Sequence, residues 1–145
     1  MSAALSASIV AVVGGLAIGF QSFATGILGD RVGIMESVFI IHLGGLVLST
    51  IVLLFMWGGN LTDWKSVPWY ILIGGLYGVI IIAAYSYAVP RIGLATTITL
   101  AIVAQLILSA ILDHYGFLGS VQHSFDLRRS IGLLVLFAGT WLIVR

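Results

Sequence analysis

Five long apolar runs, joined in places by only a few residues, leave this chain little choice of architecture. The runs cover about 5–29, 34–57, 69–89, 93–113 and 127–144, and about 20 apolar residues suffice for a helix to cross the hydrocarbon core of a bilayer. The last run is uninterrupted only from Ser130 to Val144, which is about 22 Å of helix at about 1.5 Å per residue. It is therefore expected to start near Leu127 and to let Arg128 and Arg129 snorkel toward the interface. A chain that is 61% hydrophobic and 8% charged cannot cover a globular surface, whereas lipid solvates it well. The expectation is an all-α membrane protein with five transmembrane helices, in a single membrane domain over residues 1–145. The first run has no basic head and is too long for the apolar core of a secretory leader, so it is read as a retained span.

Short connections limit what else the chain holds. Gly29-Asp30-Arg31-Val32-Gly33 and Pro90-Arg91-Ile92-Gly93 each allow only a tight antiparallel helical hairpin. The longer connections, 58–68 and 114–129, are too small for a domain. Trp57, Trp64, Trp69, Tyr70, Tyr115 and Trp141 fall near span ends, where aromatic rings anchor to the interface. The chain has no cysteine, hence no disulfide framework and no thiolate metal site. No two histidines stand three or four apart, and no glycine-rich phosphate loop ends in Lys-Ser or Lys-Thr, so neither a metal nor a cofactor is expected. A net charge of +1 gives no case for a nucleic-acid partner. Ser109, Asp113 and His114 have the residue types of a hydrolase, but Asp113 and His114 are adjacent on one helix and point apart. No enzyme is expected.

Basic residues orient a membrane protein by their excess on the cytoplasmic side. With five spans, Lys65, Arg128 and Arg129 fall on the amino-terminal side and Arg31, Arg91 and Arg145 on the carboxy-terminal side. That balance gives no bias, so the chain can insert either way up. Two copies in opposite orientations would supply an inverted pair of the kind that secondary transporters build from internal repeats.

Glycine is abundant, with 18 in the chain. A Gly-Gly-Leu triplet starts at Gly14, Gly44 and Gly74, one per span at a spacing of 30. It is either a relic of a repeated hairpin or the need for small residues where membrane helices pack, as at Gly15-xxx-Gly19. Gly15, Gly19, Gly44 and Gly74 are the packing candidates on the first three spans. Gly132 and Gly139 mark a small-residue face on the fifth, suited to a dimer interface.

Polar side chains at membrane depth must face protein or water. Gln21 on the first span and Gln105 on the fourth carry full amides near mid-span. On the fourth span Thr97, Ala101, Gln105, Ser109 and Asp113 recur every fourth residue, and on the first span Ala17, Gln21 and Thr25 do the same. Gln21, Thr25, Gln105 and Ser109 are therefore candidate solute-binding residues, against interhelical hydrogen bonding worth about 0.6 kcal/mol each. Glu36, three residues past Gly33, either caps a helix start or exchanges a proton. His42 lies deeper and either relays a proton or bonds a backbone carbonyl. With Asp113 and His114, they are the candidates for ion coupling. In an inverted pair, Glu36 of one copy would lie at the level of Asp113 and His114 of the other.

Gln21 with Leu28-Gly29, then Pro90-Arg91-Ile92-Gly93, Gln105, Ser109 and Asp113-His114-Tyr115-Gly116, resembles the half-size YdcZ-like family of the drug/metabolite transporter superfamily. The resemblance covers essentially the whole chain. One position departs from it, Thr25 standing where the family pattern carries Asn. It implies a five-helix protein of the prokaryotic inner membrane, related to small multidrug exporters that work as antiparallel pairs. The expected function is a small secondary transporter, an antiparallel homodimer in the lipid bilayer. It would move a small polar or amphipathic organic solute through a cavity among the first four spans. The alternative is a non-transporting membrane subunit packed against a larger partner.

Overall fold

The computed structural model describes residues 3–116 and 126–145. Their regular structure is all helical, with no strand among the described residues: α1 (Ala3–Val32), α2 (Ile34–Phe55), a 3-10 helix (Leu61–Ser66), α3 (Trp69–Leu72), α4 (Gly74–Ile92), α5 (Leu94–Tyr115) and α6 (Leu127–Val144). They form two compact units, the first ending at Arg91 and the second starting at Ile92. Four stretches are long and apolar enough to cross a membrane: Ala4–Val32, Ile34–Phe55, Trp69–Ile92 and Leu94–Tyr115. Ser130–Val144 is a shorter apolar helix. Large apolar side chains point outward along these helices, Leu16 at 71% exposure, Phe20 at 75% and Leu54 at 73%. In water such a surface would aggregate; in a bilayer it faces its own solvent.

The helix ends follow from a few residues. Gly33 (φ 111°, ψ 158°) and Gly93 (φ 83°, ψ 157°) hold nearly the same backbone geometry, one that a Cβ would strain. In each case the amide four residues on, of Ser37 or Thr97, donates to the glycine carbonyl at 3.0 or 3.1 Å, so the next helix starts at once. α2 ends in a Schellman arrangement. Gly58 N–H donates to Leu53 O at 2.8 Å and Trp57 N–H to Leu54 O at 3.1 Å, which satisfies the last carbonyls of the helix. The left-handed position is filled by Trp57 (φ 54°) rather than glycine.

The third apolar run is two helices. α3 is a single turn after Pro68, and Ile73 (φ −75°, ψ 0°) interrupts the chain before α4. Gly74 and Gly75 follow, each about 1 kcal/mol poorer than alanine in a helix. Pro90 sits inside the last turn of α4 and has no N–H for the carbonyl four residues back, Ser86 O.

Candidate functional site

In the first unit the deepest residues are polar. Thr25 and Ser37 are fully buried and Ser86 is 1% exposed. Ser86 Oγ donates to Ser37 Oγ at 3.0 Å, and Ser37 Oγ donates to Thr25 O at 3.3 Å. This seam of hydroxyls ties α1, α2 and α4 together. Thr25 Oγ1 is buried without a hydrogen-bond partner among the described residues. The seam exists because the backbones come close. A Cβ on Gly29 would meet Ser86 O at 2.7 Å and Ser86 Cβ at 2.6 Å, and one on Gly26 would collide with Val89. Gly29 thus packs on the carbonyl that Pro90 leaves without its helical donor.

Thr25 was a candidate from sequence; Ser37 and Ser86 were not. Their signal was present: Gly26 and Gly29 stand three apart on α1, and Ser86 stands four before Pro90 on α4. Close packing falls on other glycines than Gly15, Gly19, Gly44 and Gly74. Among the described residues a Cβ at any of these four, or at Gly132 and Gly139, the pair suited to a second copy, meets nothing within 4 Å, whereas Gly26, Gly29 and Gly78 press on a neighbouring helix. Hydrophobic periodicity could not separate the two sets, because these helices are apolar on every side.

The remaining sequence candidates of this unit lie apart from the seam. Gln21 is exposed, while its neighbour Ser22 is buried and donates to Ile18 O at 2.7 Å. The carboxylate of Glu36 folds back over Gly33, where a Cβ would collide with it. Glu36 also lines a shallow groove with Met35, Phe39 and Ile40. His42 Nδ1 lies 2.8 Å from Val38 O, and its Nε2 lies against Gly78.

The second unit holds an amphipathic cavity of about 360 Å³, lined by Leu106, Ser109, Ala110 and Asp113 of α5 and by Gly132, Leu133 and Leu136 of α6. Ser109 and Asp113 are one turn apart, so a hydroxyl and a carboxylate share one wall of an otherwise apolar space. Gly132 leaves that space open, since among the described residues no atom of another element lies within 4 Å of where its Cβ would be. Three residues chosen from sequence thus meet here. Gln105 is exposed and is not among the lining residues, and His114 instead sets its ring edge-on to Tyr115 at 5.1 Å. Among the described residues, no cluster of three or more His, Asp or Glu is arranged to hold a metal.

Apolar outward faces over bilayer-length helices define a multi-pass helical membrane protein. A family model described as "Putative inner membrane exporter, YdcZ" matches residues 6–142, and the chain belongs to that family. It is similar to the protein named "Inner membrane protein YdcZ" of Escherichia coli (strain K12), with 33% identity over 109 residues, 70% of this chain and 68% of that protein. No solved structure matches the chain. The resemblance carried by Pro90-Arg91-Ile92-Gly93 and Asp113-His114-Tyr115-Gly116 is therefore a family membership. The chain is a multi-pass protein of the inner membrane, in a family whose description is that of an inner membrane exporter.

Proposed function

We propose that this protein is a small secondary transporter that moves a small amphipathic organic solute by alternating access, as an antiparallel homodimer with five spans per copy. The cavity between α5 and α6 carries the reading. Its size of about 360 Å³ suits a small molecule, its walls are apolar, and Ser109 with Asp113 supplies one polar face. Membership of an exporter family supports the same reading. Gln21 and Gln105 support the dimer, because both are exposed on the protomer at membrane depth. Hydrocarbon would leave those amides unsatisfied at a cost of several kcal/mol each, so a second copy or a wet pathway must cover them.

The Ser109→Cys variant tests the reading in a chain with no native cysteine. A wet pathway along α5 exposes that thiol to a membrane-impermeant reagent in correctly inserted protein. An unreactive thiol in folded, inserted protein would instead favour the non-transporting subunit, with the polar side chains serving only as interhelical hydrogen bonds.

A further inference from the structure

His42 stands about 4 Å along the axis from the middle of α2, counting about 1.5 Å per residue. Among the described residues no other histidine, carboxylate, lysine or arginine lies within one turn of the middle of an apolar helix. A titratable group at that depth is costly and in membrane proteins marks a functional position.

The surroundings fix the ring's chemistry. A carbonyl oxygen only accepts, so the 2.8 Å contact of Nδ1 with Val38 O places the hydrogen on Nδ1. The neutral ring then keeps its lone pair at Nε2. That nitrogen lies in a notch on α4: a Cβ at Gly78 would sit 2.9 Å from Nε2 and 3.8 Å from Cε1. Any residue but glycine would push the imidazole aside. The ring is nonetheless exposed on the protomer. Leaving such an acceptor unpaired in hydrocarbon costs about 1–3 kcal/mol, which water at Nε2 relieves, and the same water can deliver a proton to it.

The geometry points to His42 as a proton-binding site of the membrane-embedded part of this protein, loaded at Nε2 in the notch that Gly78 keeps open. Glu36, the other carrier considered on α2, is folded over Gly33 at the start of the helix. The charged and titratable groups of the elements packed with α2 are few. α1 carries only Asp30 and Arg31, in its last turns. α4 carries Tyr77 beside Gly78, then Tyr85, Tyr87 and Arg91, the last with its guanidinium 3.8 Å over the Tyr87 ring. None supplies a carboxylate at the level of His42, so protonation creates a cation in the membrane that no nearby anion of its own unit neutralises. Such a charge favours whichever arrangement brings water or a counter-charge to the ring. That last use, in driving transport, rests on the transporter reading; the proton site itself does not.

Nitrogen NMR of histidine-labelled protein in lipid nanodiscs tests the site with the proton as the only probe, between about pH 9 and about pH 4. Signals absent from the His42→Gln variant belong to His42. The expected result at high pH is one protonated nitrogen, Nδ1, and one bare nitrogen, Nε2, with the bare signal lost as the pH falls. Gly78→Ala should displace the ring and remove the single-tautomer signature while the other two histidines keep their spectra. A hydrogen on Nε2 at high pH, or one unchanged form across the range, overturns the proposal. Because no solute is involved, a titrating His42 alongside an unreactive Ser109→Cys thiol would sink the transporter reading and leave the proton site standing.

Discussion

An amide exposed at membrane depth needs water or a second polypeptide to satisfy it, and Gln21 and Gln105 are both in that position. Replacing either by leucine keeps the approximate size and removes the hydrogen bonds, so two roles separate. If the amides join the two copies, each change should weaken the dimer by about 1 kcal/mol, read as a shift in its dissociation in detergent. If they bind solute, dimer stability should hold or rise while solute affinity falls by about 1–3 kcal/mol. Thr25 belongs to neither class. It is wholly buried in the seam with Ser37 and Ser86, so Thr25→Val should leave affinity unchanged, and losing an unpartnered hydroxyl should be neutral or stabilising in thermal unfolding. Glu36 has its carboxylate against Gly33, at the start of α2 where a negative charge complements the helix dipole. Glu36→Gln should accordingly cost about 1 kcal/mol or less in unfolding experiments and leave any pH-driven transport intact; abolished transport in a folded dimer would return Glu36 to the coupling role.

Helix packing turns on which glycines meet a neighbour, and this was the part least legible in the sequence. Apolar runs of bilayer length fix where the helices are, because each must satisfy its own backbone in lipid. Hydrophobicity does not fix which face of a membrane helix packs, since lipid and protein interior are equally apolar. The repeated Gly-Gly-Leu triplets were therefore conspicuous and uninformative within the protomer, while Gly26 and Gly29, outside any repeat, make the close approach to α4. The break at Ile73 was written in Gly74-Gly75 but reads equally well as a packing motif. Gly29→Ala places a methyl group 2.7 Å from a backbone oxygen that cannot swing away. It should destabilise the first unit by about 1–3 kcal/mol and lower its thermal midpoint. Gly15→Ala meets nothing within 4 Å among the described residues. It should gain up to about 1 kcal/mol of helix stability, unless a second copy packs on that face, in which case the dimer weakens while the protomer does not.

Orientation belongs to the whole molecule, and it is where the charges decide. The helical class, the membrane and the family were all legible in the sequence, the last because the Pro90 and Asp113 blocks are specific. The cavity was legible only in part: the row ending in Ser109 and Asp113 pointed to α5, but the opposing wall, with Gly132, Leu133 and Leu136, depends on a pairing with α6 that no local pattern encodes. The proposed pairing of opposite copies rests on something else, six basic residues that five spans would divide without bias: Lys65, Arg128 and Arg129 against Arg31, Arg91 and Arg145. Two of these are held on aromatic rings at helix ends, Arg91 on Tyr87 at 3.8 Å and Arg145 on Trp141 at 4.5 Å, which keeps their charges close to the ends that would have to choose a side. A chain with no charge preference inserts both ways, so carboxy-terminal reporters that are active on opposite sides of the membrane should both give signal. Adding two lysines between Gly58 and Pro68 gives five basic residues against three and should drive the population to one orientation. Co-expressing that variant with one biased the opposite way should restore the dimer that either alone cannot form. A native chain found in one orientation only, and unmoved by the added lysines, would rule out an antiparallel homodimer and leave its inverted partner to be a different polypeptide.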